Sequence, residues 1–441
     1  MKRPEWLTRP ILGWVSYDFA NSAFATTVLA VIFNRYFSEV VAGGESGTLF
    51  RFFGQEVRLN GATVWSYIVA LSTGLVAITS PILGAIADQA GWRRLMLGLF
   101  TYIGVVATLG LSLVGEGEVG SGSLLFIVAN FGFAGALVFY NAFLVDLGTA
   151  QTYGRISGLA WGVGYVGGGL CLVLNLLMLQ KPSVLGFGPE PFSVGACVAV
   201  SGLWWGIFTL PTLLWVRDKA KPKRNVGIVR LTFLSWRRVI ETLRQVRRYR
   251  QLARFLIAYL FFNDGIETVI VMASIFGAQV IGMEAGELVL FFIMIQGTAL
   301  IGSLIFGYLA DRIGNRRTLL LSLWVWLAVV LWAYKIGWLF DMRTEYYLLG
   351  ILVGLVMGGS QAAARSLQAL FTPSAHSAEF FGFFSVSGKV ASVFGPLVYG
   401  TAIYFTGGLQ SGILALGLFF IVGIILLITV NEGEGLAVAR S

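Results

Sequence analysis

Apolar runs of about twenty residues recur along the whole chain, and few folds can accommodate that pattern. A bilayer core of about 30 Å is crossed by roughly twenty helical residues, and inside lipid only helices or closed barrels satisfy every backbone group. Laid along the sequence, that ruler predicts about twelve spans. They fall near 12–37, 63–87, 95–114, 122–146, 155–179 and 192–216, then near 252–280, 286–310, 318–338, 345–366, 379–405 and 409–430. Composition agrees: 57% of the residues are hydrophobic and 12% charged, against about 25% charged in soluble domains. The expected fold class is all-α integral membrane.

The net charge of +9 is not arranged as a nucleic-acid-binding surface would be. Much of it lies in 217–250, and the rest sits in short loops at Arg93, Arg94, Arg155, Arg312, Arg316, Arg317 and Arg365. The alternate loops are mixed or acidic, with Glu39, Glu45, Glu116, Glu118, Glu284 and Glu287. The positive-inside rule then places both termini on the cytoplasmic side, a bacterial inner or plasma membrane being the expected location. The basic stretch from Met1 to Pro10 precedes an apolar run too long for a signal-peptide core and carrying Asp18 and Asn21, so it reads as a retained first span. Cys171 and Cys197 fall within apolar runs and His376 is the single histidine, which argues against a disulfide framework, a His-based metal site or an intramembrane enzyme. No cofactor is expected.

The chain also repeats itself. Gly84, Asp88, Gly91, Arg93 and Arg94 follow the second run, and Gly307, Asp311, Gly314, Arg316 and Arg317 follow the eighth at identical spacing. A weaker echo relates Tyr17 and Asn21 to Tyr259 and Asn263. This predicts two six-span halves, 1–216 and 252–441, joined by a basic linker, 217–251, with function at the interface between them. In the linker, Trp236, Val239, Ile240, Leu243 and Val246 form an apolar stripe flanked by Arg237, Arg238, Arg244, Arg247, Arg248 and Arg250. That pattern reads as an amphipathic helix on an anionic leaflet, with a solvated tether as the alternative.

The paired loops resemble the signature loop of the major facilitator superfamily. Within it, the segments Trp14 to Phe24, Gly358 to Ser366 and Phe380 to Lys389 are similar to the vacuole-effluxer, or autophagy-related permease, family. The resemblance implies a major facilitator fold, a monomer working by alternating access, and signature-loop ion pairs that shut one face of the carrier. In fungi that family is associated with amino-acid efflux, so an amino acid or similar zwitterion is the implied cargo.

Charges at membrane depth are costly and mark pathways by default. Asp18 and Asn21 lie one turn apart in the first span; Asp264 and Glu267 share a face of the seventh; Gln361 and Arg365 are one turn apart in the tenth; Lys389 lies inside the eleventh. The acids suit proton or sodium coupling or a substrate ammonium. Lys389 suits neutralising Asp18 or holding a carboxylate, and Arg365 either faces the pathway or pairs with Asp146 or Glu379. An early acid with a late lysine is similar to the glycoside–pentoside–hexuronide cation symporters, which keeps a sugar–cation symporter open beside a lipid-type transporter and a non-transporting sensor. The glycines from Gly158 to Gly169 suit close helix packing.

Overall fold

A computed structural model describes residues 4–52, 55–187, 192–219, 228–391 and 394–441, so that 220–227 of the expected linker lie outside it. Among the described residues, 12 helices are long and apolar enough to cross a membrane. Spans one to six are Arg9–Val41, Gly61–Ala90, Arg93–Leu111, Val119–Leu147, Tyr153–Gln180 and Val194–Trp215. Spans seven to twelve are Arg250–Gln279, Gly286–Ile313, Asn315–Tyr334, Met342–Leu370, Ser374–Thr406 and Leu409–Ile428. A linker helix, Ile228–Arg244, joins the two sets, and a short helix, Glu432–Arg440, ends the chain. Because six and twelve are even, the linker and both termini emerge on one face, called here the linker face. Arg250 and Gln251 at the start of span seven bind Glu434 of the terminal helix there, at 2.6 and 2.8 Å. The Arg250 hydrogen bond holds the Glu434 carboxyl below the usual carboxylate range.

Local chemistry sets the span ends. Asn60 and Asp341 accept the backbone N–H groups of Thr63 and Thr344 as N-caps of spans two and ten. Span two stops at Gly91, whose φ of +66° is the left-handed conformation that ends helices most cheaply in glycine. Span three then begins at Arg93, two residues earlier than apolar patterning predicts, since the signature loop is a turn of Gly91 and Trp92 alone. One feature escaped the sequence reading. Strands β1 (Thr48–Phe52) and β2 (Gln55–Leu59) form an antiparallel hairpin between spans one and two, registered from Thr48↔Leu59 to Phe52↔Gln55. Span eleven is described over Ser377–Ala391 and Phe394–Thr406.

Glycine sets where the two sets of spans touch. A methyl group on Gly84 in span two would collide with the Ala378 carbonyl of span eleven, and one on Gly382 would meet Pro81 at 2.6 Å. Gly154 and Gly158 of span five abut Gly307 and Ser303 of span eight just as closely. Such backbone-to-backbone approach excludes any side chain and gains dispersion contacts, the main cohesive term between helices in lipid. All of these contacts lie toward the linker face. Farther from it, Gly74, Gly297 and Gly400 of spans two, eight and eleven face open space. The halves are therefore zipped on the linker side and apart on the other.

Candidate functional site

Between the halves lies a cavity of about 290 Å³. Its polar wall comes from both: Asp18 and Asn21 of span one and Asn141 of span four face Asn263 and Glu267 of span seven, Arg365 of span ten and Lys389 of span eleven. Trp161, Tyr259 and Phe384 supply its aromatic surface. Two acids balance two bases, so the wall as a whole is neutral.

The first pair crosses the halves. Asp18 accepts Arg365 Nη1 at 2.9 Å, both side chains being almost wholly buried. The remaining nitrogens of Arg365 donate to span five, Nε to Ser157 Oγ at 2.9 Å and Nη2 to the Ser157 carbonyl at 2.8 Å. The guanidinium also lies 5.0 Å from the Trp14 ring centre and 5.1 Å from that of Trp161, within cation–π range. A planar, always-charged group with several donors suits this enclosure better than lysine would. Glu267 and Lys389 both belong to one half and line the same wall, within electrostatic reach of each other. Glu267 is solvent-exposed despite its depth in the span, since it looks into the cavity.

Below the cavity, toward the linker face, the signature loops form two related locks. Asp88 accepts Arg93 Nε at 2.6 Å and the backbone N–H groups of Glu379 at 2.9 Å and Ala378 at 3.2 Å, at the start of span eleven. Asp311 accepts Arg155 Nε at 2.6 Å and the N–H groups of Gly154 and Arg155 at 2.8 and 3.1 Å, at the start of span five. Each carboxylate thus sits on the positive end of a helix belonging to the other half, where unpaired N–H groups and the helix dipole favour an anion. Gly84 and Gly307, one turn back, let the helices close far enough for this contact.

The arginines of the two loops part company. Arg93 also reaches Asp146 at 2.9 Å and the Ser374 carbonyl at 2.9 Å, bridging the halves. Its counterpart Arg316 does not reach Asp311. It donates to the Leu427 and Ile428 carbonyls of span twelve, and its N–H goes to Glu432, all within its own half. Gly91 and Gly314 both take positive φ as helix terminators. Arg317 is exposed, and Arg94 gives only its backbone N–H to Asp218, whose carboxyl burial raises above the usual range. The four arginines of the loops thus have different partners: of them only Arg93 reaches across the interface, and the basic partner of Asp311 is Arg155.

Other expected residues lie elsewhere. Asp264 does not line the cavity; it turns toward span eleven and accepts the Gly395 N–H at 2.8 Å. The i, i+3 spacing to Glu267 places the two acids 60° apart around the helix, enough for one to meet the cavity and the other a neighbouring helix. Gln361 accepts the Tyr165 hydroxyl at 2.5 Å and is not part of the cavity wall. Lys389 lines the cavity with Glu267, and the hydrogen-bonded partner of Asp18 is Arg365. Asp146 and Glu379, the other candidates for Arg365, pair with Arg93 and Arg238. Gly154, Gly158 and Gly162 face span eight while Gly164, Gly167 and Gly168 face span one, and Asn130 donates to Ser72 between spans four and two. Sequence reasoning passed over Ser157, whose type and spacing carry no signal, and Trp161 as partners of Arg365.

The family model described as "Vacuole effluxer Atg22 like" matches residues 8–152 and 146–440. An uncharacterized MFS-type transporter of Bacillus subtilis (strain 168), YxiO, is 32% identical over 440 residues, covering 98% of this chain and 96% of its own. Autophagy-related protein 22-1 of Penicillium rubens is 24% identical, covering 92% of this chain and 81% of its own. Among solved structures, the human organic anion transporter MFSD10 superposes with a TM-score of 0.70 at 15% identity, over 96% of this chain and 100% of its own. The proton:xylose symporter XylE superposes with a TM-score of 0.71 at 12% identity, over 97% and 96%. At such identities these two structures speak for the fold. With a twelve-span architecture, a cavity between two halves and paired signature-loop locks beneath it, the chain belongs to the vacuole effluxer Atg22-like family and is a secondary-active transporter of the major facilitator type.

Proposed function

We propose that this carrier moves a small zwitterion, an amino acid or a close relative, by alternating access, with the linker face toward the cytoplasm. The observation that supports it is the arrangement of Glu267 and Lys389, an acid and a base on neighbouring spans of one half, opening on a neutral, aromatic-lined cavity. A substrate ammonium that meets Glu267 and a carboxylate that meets Lys389 give each of these two charges an opposite one, at a depth where unmatched charge is costly. Asn21 has a buried amide N–H without a partner and supplies a further donor from the opposite half. The Asp18–Arg365 pair and the two signature-loop locks hold the cytoplasmic side shut while the cavity loads from outside. Opening inward breaks all three, and the Glu267 carboxylate is the proposed site where a proton or sodium ion couples to the cycle.

Counterflow in proteoliposomes tests the reading. Vesicles preloaded with mixed amino acids should accelerate entry of a labelled amino acid under a proton or sodium gradient. If no amino acid exchanges while a labelled hexose or pentose does, the cargo is a sugar, which the aromatic surface of Trp161, Tyr259 and Phe384 would also suit.

A further inference from the structure

The linker helix has a buried side and an exposed side, and each has its own work. Leu231, Ser235 and Val239 are buried, and with Arg238 and Thr242 they form one stripe at helical spacing. Leu231 packs against Ile86 and Ala90 in the last two turns of span two, with Met96 at the start of span three beside them. Arg238 Nε donates to Glu379 at 3.3 Å, Arg238 Nη2 contacts His376 Nε2 at 2.5 Å, and the Thr242 hydroxyl donates to Glu379 at 2.5 Å. Glu379 is the residue whose backbone N–H is held by Asp88. The inner face of the linker helix is thus fastened to the same first turn of span eleven that the signature-loop lock grips.

The outer face is unlike it. Phe233, Trp236, Arg237, Leu243 and Arg244 are exposed, large apolar groups interleaved with arginines. Leu231 packs against the linker-face end of span two, which seats the helix beside the end of a membrane span, where headgroups and acyl chains meet. Aromatic and aliphatic groups flanked by arginine at that depth match an anionic lipid surface in both polarity and charge. A water-exposed tether would leave Trp236, Phe233 and Leu243 uncovered.

We propose that the outer face binds the anionic phospholipids of the leaflet it touches, and that this binding holds the linker helix against span eleven and so favours the state shut on the linker side. The gate then responds to the lipid charge of the membrane, with the linker helix as the connecting part. The cytoplasmic identity of that leaflet rests on the orientation proposed above; the coupling of lipid to gate does not.

The test needs no substrate, so it is independent of the cargo. Gln151 and Arg312 are exposed on the linker face, one in each half, and Cys171 and Cys197 are buried. Spin labels on Q151C and R312C report the distance across the gate by double electron–electron resonance in vesicles of phosphatidylcholine, with or without phosphatidylglycerol in both leaflets. Phosphatidylglycerol should raise the shut-to-open ratio, by up to about fivefold for each outer arginine engaged. R237Q/R244Q should lose that response and R237K/R244K keep it, while R238Q/T242V should lose it by unfastening the inner face. No response in the parent protein, or a response that survives R237Q/R244Q, overturns the proposal. A response that survives R238Q/T242V removes the latch from it, which also overturns the coupling.

Discussion

Asp18 of span one and Arg365 of span ten, 347 positions apart, meet at 2.9 Å at membrane depth. With Ser157 taking two further bonds from the same guanidinium, three spans from two halves converge on one charge. The pair closes the bottom of the cavity, one layer above the signature-loop locks.

Removing one partner leaves the other charged and buried, which costs about 3–5 kcal/mol. Asp18→Asn and Arg365→Gln should each lower the thermal unfolding midpoint in detergent and abolish transport. The double variant should regain much of the lost stability without regaining transport. Strictly additive losses would show that the two residues are not coupled.

Asp88→Asn and Asp311→Asn keep shape and remove charge from contacts with helix N-termini and arginine. Charge-assisted hydrogen bonds contribute roughly 1.5–3 kcal/mol each, so the equilibrium should move about ten- to a hundredfold toward opening on the linker side. A cysteine replacing Ser385, which lines the cavity, should then react faster with an impermeant maleimide applied from that side. Unchanged reactivity would argue that the locks are ornamental to closure.

The two arginines of the repeated loops should behave differently. Arg93→Ala removes contacts to Asp88 and Asp146 of its own half and to Ser374 of the other, and should shift the same reactivity. Arg316→Ala removes only contacts to the end of span twelve, so thermal stability should fall while reactivity at position 385 stays as in the parent.

Glu267→Gln and Lys389→Gln each remove one half of the proposed substrate clamp. The KM of a transported amino acid should rise about ten- to a hundredfold in either case, the worth of one charged hydrogen bond. Loss of maximal rate at constant KM for both would place these residues in coupling and not in substrate recognition.

Glu345 is fully buried at the start of span ten and accepts Trp332 Nε1 and the N–H groups of Gly337, Leu339 and Phe340, at 2.5 to 2.9 Å. Glutamine offers one acceptor oxygen where the carboxylate offers two. Glu345→Gln should lower the unfolding midpoint and speed proteolysis of the 335–341 loop, with KM unchanged.

Much of this protein is local in origin and was readable as such. Apolar runs matched to bilayer thickness specify the spans, because lipid leaves the backbone no other way to satisfy its hydrogen bonds. Even Asp88 and Asp311 could be picked out, since a carboxylate beside two glycines and two arginines repeats at matched positions. The hairpin at 48–59 was lost for the opposite reason: two five-residue strands carry no periodic signal beside thirty-residue helices.

Partnership was beyond the sequence. Asp264 and Glu267 look equivalent in span seven, yet one binds the Gly395 N–H of span eleven and the other opens on the cavity. Arg93 and Arg316 occupy identical motif positions, yet only Arg93 crosses the interface. The linker helix reads as a single amphipathic surface, whereas its opposite side is fastened to the gate. The sequence by itself determined the spans, the two-fold repeat and the places where charge enters the membrane, because those depend on local composition and helical pitch. The tertiary structure alone decided which charge meets which, because that depends on the rotation and close approach of helices distant in sequence, set by glycine contacts between them.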